Sequence, residues 1–128
     1  MEKMLYNIII PFTILFISVS GIAELIFPSQ LLSFVGIPNN AQTDFLLRTT
    51  AVALLALLPS LWTAFRDPNS PSAKSALLGT AAYMFLGSAV DFHAYTQRIV
   101  NSMSVPSVIF RVLLGVTIVW LALRKLRV

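Results

Sequence analysis

The stretch YNIIIPFTILFISVSGIAELIF, residues 6–27, decides the fold class. It is long enough to cross the hydrocarbon core of a bilayer, which takes about 20 apolar residues wound as an α-helix. Its one carboxylate, Glu24, sits near its far end. Pro11 and Gly21 interrupt the pattern, as membrane helices tolerate, and Pro28 ends it. A cleaved secretory leader is the rival reading, because Lys3 precedes the run and Ser18 and Ser20 are small residues of the kind found before a cleavage point. The leading residues carry Glu2 beside the lysine, so the run is read as a retained first helix.

The same character extends over the whole chain. Of 128 residues, 57% are hydrophobic and 11% charged, with a mean hydropathy of +0.83, whereas a soluble domain is about 25% charged. The length is that of one domain and admits four spans with short connections. After the first helix, Ile37-Pro38 and Asn39-Asn40 mark a loop, preceded by a short amphipathic turn over 31–34. A second helix is predicted over 43–65, with Thr43 as its N-cap and Pro59 tolerated inside it. Arg66-Asp67-Pro68-Asn69-Ser70-Pro71 breaks the chain, and Ser70 caps a third helix over 71–97. A connection around 101–106 leads to a fourth helix, 106–123, and to the basic tail Arg124-Lys125-Leu126-Arg127. The expected fold is all-α, a four-transmembrane-helix bundle forming a single membrane domain over 1–128.

Charge placement orients this bundle. Short connections make successive helices alternate, so Lys3, Arg66, Lys74, Arg124, Lys125 and Arg127 share the side of both termini. The other side has only Arg98 in its connections. By the positive-inside rule both termini face the cytoplasm, and Trp62 and Trp120, each four residues before an arginine, sit at that interface. The multi-pass protein is then expected in an endoplasmic reticulum or bacterial inner membrane. The net charge of +4 belongs to this asymmetry, so no nucleic-acid partner is expected. With no cysteine and one histidine, a disulfide framework and a cysteine zinc site are excluded, and no metal or other cofactor is expected. No Ser–His–Asp arrangement or phosphate-cradling glycine loop is present.

The remaining charges fall at similar depth: Glu24, Asp44, Arg48, Asp91, His93 and Arg111, with Arg98 just outside. A charge at mid-membrane costs about 2.5–3.5 kcal/mol on insertion scales, so such groups face one another, water or a ligand. Asp44 and Arg48 are spaced i, i+4 and can pair locally. Asp91, Tyr95 and Arg98 share a face of helix three, and Ser107, Arg111 and Gly115 form a stripe on helix four. Glu24 has no basic neighbour on its own helix, which makes Arg48 or Arg111 its expected partner. Glu24 and Asp91 are the candidate catalytic residues, with Arg48, Arg111, His93, Tyr95 and Asp44 as substrate or charge partners. A plainer alternative is that the network only fixes helix register, with His93 an interfacial residue, Asp44 a favourable charge at a helix start, and Phe45, Phe85, Phe92 and Phe110 packing.

Desolvation favours the protonated form of a carboxyl group and an adjacent arginine favours the ionised one. Two carboxylates in different surroundings can therefore divide acid and base work. The leading expectation is a membrane-embedded acid–base enzyme that isomerises, cyclises or opens an epoxide of a lipophilic small molecule. A non-catalytic scaffold would instead show paired charges, no cavity, and an exposed small-residue face at Gly79, Ala82 and Gly87 for a second copy or another membrane protein. A small proton-coupled transporter would place Glu24 in an aqueous path.

Phe27-Pro28, Phe34-Val35-Gly36-Ile37-Pro38 and Phe45-Leu46-Leu47-Arg48-Thr49-Thr50-Ala51, followed by Asp91, carry a resemblance. The chain resembles the small DoxX-like four-helix membrane proteins, and the resemblance implies a Pro-bearing first connection, a short Gly-Pro loop and an arginine opening helix two. More distantly it is similar to membrane-embedded isomerases and terpenoid cyclases, which implies Glu24 and Asp91 by role.

Overall fold

The computed structural model describes residues 1–124. Its elements are α1 (Glu2–Ile26), α2 (Pro28–Phe34), α3 (Ala41–Leu55), α4 (Leu58–Arg66), α5 (Pro71–Thr96) and α6 (Val105–Leu123), with a 3-10 turn, Ser102–Ser104, leading into α6. Four helical stretches, Glu2–Ile26, Ala41–Arg66, Pro71–Thr96 and Ser102–Leu123, are long and apolar enough to cross a membrane. Between 17% and 28% of each spanning window is buried inside the bundle, so most of each helix surface must meet lipid. The outward side chains suit that solvent: Ile8, Leu15, Val19, Leu86, Val90 and Leu113 are all exposed. Lys125, Leu126 and Arg127 of the basic tail lie outside the described residues.

The second span departs from the sequence expectation in two ways. Its N-cap is Asn40, whose side chain accepts from the Gln42 and Thr43 amides at 3.0 Å each. Thr43 is the reciprocal member of the capping box, accepting from the Asn40 amide. More consequentially, 43–65 is not one helix. Pro59 has no amide hydrogen, so the Leu55 carbonyl loses its usual partner. The backbone tightens just before it, with Leu57 N–H donating to the Leu54 carbonyl at 3.2 Å, and a new helix starts as Leu61 N–H donates to Leu57 at 3.0 Å. The helical ladder is thereby interrupted between α3 and α4, while Ala56 and Leu57 keep right-handed helical torsions. Ser70 caps α5 as its position predicts, accepting from the Ala73 amide at 3.1 Å.

The two halves of this span pack differently. α4 lies against α1 and α5, whereas α3 lies against α1 and α2. α5 and α6 pack extensively, α1 and α6 touch little, and α3 and α5 form no extended contact among the described residues. At one end, Glu2 and Arg124 approach to 3.4 Å, and the Arg124 guanidinium stands 5.2 Å from the Trp120 ring centroid. The start of α1 and the end of α6 therefore meet at this terminal end, as an even number of crossings requires. The core there is dense: Tyr6, Ile10, Leu61, Ala64, Ala73 and Ile118 are buried. Tyr6 Oη donates to the Ala64 carbonyl at 2.6 Å, tying α1 to α4 inside that core.

Close approach of α1 and α3 depends on Gly21, where an added Cβ would stand 2.6 Å from Leu55 Cγ and Cδ2. Gly79, by contrast, has nothing within 4 Å. Gly21→Ala is expected to destabilise the bundle by about 1–3 kcal/mol through overpacking. Gly79→Ala is expected to be neutral or to stabilise by about 0.5–1 kcal/mol from helix propensity. Equilibrium unfolding of both variants in mixed micelles checks the contrast.

Candidate functional site

At the far end of the bundle, opposite the termini, the helices line a partly open cavity of about 410 Å³, within the roughly 300–1,000 Å³ of small-molecule sites. Each helix contributes one stripe at helical spacing: Phe16, Ser20 and Glu24 from α1; Leu47, Thr50 and Leu54 from α3; Tyr83 and Asp91 from α5; Ser107 and Arg111 from α6. Most of the wall is apolar, and the polar groups gather on the α1, α5 and α6 sides.

The roof comes from the two far-end connections. α2 ends in a reversal at Gly36, whose φ of +80° is natural to glycine, with Ile37 N–H donating to the Leu32 carbonyl at 2.9 Å. α5 ends similarly at Arg98, which holds φ of 58° without being glycine, while Ile99 N–H donates to Ala94 at 2.9 Å. Asn101 latches the two together: its side chain donates to the Phe34 carbonyl at 3.0 Å and its amide to the Val35 carbonyl at 2.9 Å.

Two charges of the layer are joined. Arg111 Nη2 donates to Asp91 Oδ2 across the α5–α6 seam, the arginine side chain 19% exposed and the aspartate 39%. Gly87, one turn before Asp91, makes this crossing feasible, since a Cβ there would meet Arg111 Nη1 at 3.1 Å. Gly87 is therefore occupied by the arginine and does not belong to an outward small-residue face with Gly79 and Ala82.

Glu24 differs from expectation. Its Oε2 is buried without a hydrogen-bond partner. Neither arginine bonds to it: Arg111 is held by Asp91, and Arg48 is engaged elsewhere. Arg48 Nε pairs with Asp44 Oδ2 at 2.8 Å, and its Nη1 donates to the Leu25 carbonyl at 2.7 Å. That bond satisfies a carbonyl in the last turn of α1, where a cation is also favoured by the helix dipole. Arg48 thus fastens α3 to the end of α1 beside Glu24 without reaching its carboxylate.

Of the other sequence candidates, His93 and Tyr95 are exposed in the last turns of α5 and do not line the cavity. Arg98 lies past the helix end, off the Asp91 face. Asp44 stays with Arg48, outside the cavity wall. Phe110 packs edge-on against Phe16 at 4.9 Å and Phe12 at 6.1 Å, bridging α1 and α6, which otherwise touch little. Phe85 lies against Gly115. Sequence reasoning missed Tyr83, Ser20 and the Asn101 latch. Spacing carried a signal for the first two, because Tyr83, Gly87 and Asp91 form an i, i+4, i+8 stripe and so do Phe16, Ser20 and Glu24. No local pattern announces Asn101, whose partners are 67 positions away.

No protein-family model, curated protein or solved structure matches this chain. The site is therefore argued from its own geometry.

Because Arg111 and Asp91 share a partly buried bond, a double-mutant cycle of Asp91→Asn and Arg111→Gln is expected to give a coupling energy of about 0.5–3 kcal/mol. Glu24→Gln, removing a carboxylate that bonds to nothing, is expected to leave unfolding free energy unchanged or raised. Micelle unfolding measures both, and marked destabilisation by Glu24→Gln would mean that the carboxylate holds the bundle together.

Proposed function

We propose that this protein is a membrane-embedded acid–base enzyme that rearranges a lipophilic small molecule by isomerisation, cyclisation or epoxide opening. The observation that carries this reading is Glu24, half-buried on the wall of a largely apolar cavity with its Oε2 buried and without a hydrogen-bond partner among the described residues. A group left so is costly to fold and gains its return only from something the cavity takes up. The second carboxylate, Asp91, lines the same cavity but is bound to Arg111, so the two occupy different electrostatic surroundings, the condition for separate acid and base roles.

In this reading the reactive group sits between them. Glu24 enters the turnover protonated and delivers that proton from one oxygen to an epoxide oxygen, a carbonyl oxygen or an alkene carbon, while its other oxygen remains a hydrogen-bond acceptor. Asp91, held in orientation by Arg111, removes a proton from a neighbouring carbon. One proton is gained and one lost, so the product is an isomer, and the proton returns from Asp91 to Glu24 before the next turnover. With both termini on the cytoplasmic side, as the charge asymmetry favours, the site opens in the non-cytoplasmic half of an endoplasmic reticulum or bacterial inner membrane. The likeness to DoxX-like proteins supports the layout of helices and connections and assigns no reaction.

The scaffold reading calls for paired charges and no cavity, and Glu24 and the cavity weigh against it. A proton path would need a polar route to the terminal end, where Tyr6, Ile10, Leu61 and Ile118 pack closely.

Product analysis of purified protein with lipophilic epoxides and olefins tests the proposal. Rearranged product is expected from the wild type, with turnover falling by about 10²-fold or more in a folded Glu24→Gln variant, the usual scale for a lost general acid. Equal turnover in the variant removes Glu24 from the chemistry.

A further inference from the structure

The seams between helices differ, and the difference gives the cavity a direction. Between α1 and α3, Gly21 receives Leu55. The α5–α6 seam is the most tightly built, with Gly87 under Arg111 and Gly115 under Phe85. Between α1 and α6, Phe110 stacks edge-on with Phe12 and Phe16. Above, Asn101 bonds the two connections together. Below, α4 lies against both α1 and α5. The remaining seam, between α3 and α5, has no extended contact among the described residues, and both of its walls line the cavity. Its lips are accessible from outside: Thr50 is exposed, and the Asp91 side chain is 39% exposed. The polar atoms there suit a lipid-facing opening, because Thr50 Oγ1 donates to the Leu46 carbonyl at 3.0 Å and Asp91 accepts from Arg111.

We propose that the cavity takes its ligand sideways from the bilayer, through the gap between α3 and α5 in the leaflet opposite the termini. The ligand is an uncharged single-chain amphiphile whose hydroxyl end donates a hydrogen bond to Glu24. The head-group assignment follows from the charges. The unpartnered acceptor is Glu24 Oε2, and the one cation on the cavity wall, Arg111, is committed to Asp91. A carboxylate or phosphate head would face the Asp91 carboxylate and the acceptor oxygen of Glu24 with no uncommitted cation among the described residues of the wall, and bringing it out of water unpaired is costly. A hydroxyl supplies the missing donor without a charge, while the chain lies along the apolar wall of Leu47 and Leu54. This inference deepens the proposed function by naming the route and class of its substrate, and its test reads binding, so that it stands or fails separately from turnover.

The experiment uses the full chain in lipid nanodiscs, with a diazirine placed on a long-chain alcohol and on the carboxylic acid of the same length. Photolabelled positions are mapped by mass spectrometry of peptides. The alcohol is expected to label cavity residues of α1 and α3, and the acid to label them far less. Thr50→Trp, which fills the gap from its lip without touching the carboxylates, is expected to abolish cavity labelling. Thr49→Trp, on an exposed position that does not line the cavity, is expected to leave it intact. Asn101→Ala, which frees the roof, is expected to have no effect. Leu47→Trp, on the same wall as Thr50, repeats the test should Thr50→Trp fail to fold. Cavity labelling that survives both plugs, or that rises in Asn101→Ala, overturns the lateral route. Equal labelling by acid and alcohol overturns the head-group assignment. Labelling as expected without any turnover would leave the ligand site standing and remove the enzyme.

Discussion

One absent hydrogen governs the far half of this bundle. Because Pro59 cannot donate to Leu55, the helical ladder of the second span is interrupted at Ala56 and Leu57. The two halves keep different company: α4 lies against α1 and α5 near the termini, and α3 lies against α1 and α2. Residues of α3 and α5 line the cavity on the side where these two helices make no extended contact among the described residues. In water such a gap would collapse or flood. In a bilayer, where lipid tails are as apolar as the helices, leaving one seam unpacked costs far less.

The terminal half supplies the stability that the far half gives up. Near the termini the core is filled by Tyr6, Ile10, Leu61, Ala73, Leu77 and Ile118, and its buried hydroxyls are matched, Tyr6 to the Ala64 carbonyl and Thr80 to the Ala76 carbonyl. Toward the far end, both buried orphan polar atoms among the described residues appear, Glu24 Oε2 and Ser88 Oγ. A satisfied core at one end and unsatisfied acceptors at the other is the division of labour seen where a scaffold holds a site in a state that folding alone would not choose.

Much of this was legible in the sequence and some was not. The four apolar stretches, the Arg66–Pro71 break and the Ser70 cap follow from composition and local hydrogen bonding. The meeting of Glu24, Asp91 and Arg111 around one space follows from their similar depth. What local spacing could not supply was partner choice. The i, i+4 rule relates Arg48 to Asp44, yet the second bond of Arg48, to the Leu25 carbonyl, depends on where α1 ends beside α3. Gly87 looked like a contact for another helix because a glycine's role is defined by what approaches it, here the guanidinium of Arg111. Pro59 was visible, but whether a membrane proline bends a helix depends on which neighbours hold each half.

These choices are connected. Arg48 is engaged by Asp44 and the end of α1, so neither it nor Arg111 bonds to Glu24. A Cβ at Gly87 would press on the Arg111 guanidinium at 3.1 Å and require it to shift by a few tenths of an ångström. The asymmetry between a bound and an unbound carboxylate therefore does not arise from Glu24 itself, which is an ordinary glutamate on an ordinary helix. It accompanies the commitment of both arginines to other partners, Arg48 to Asp44 at a four-residue spacing on its own helix and Arg111 to Asp91 across the α5–α6 seam.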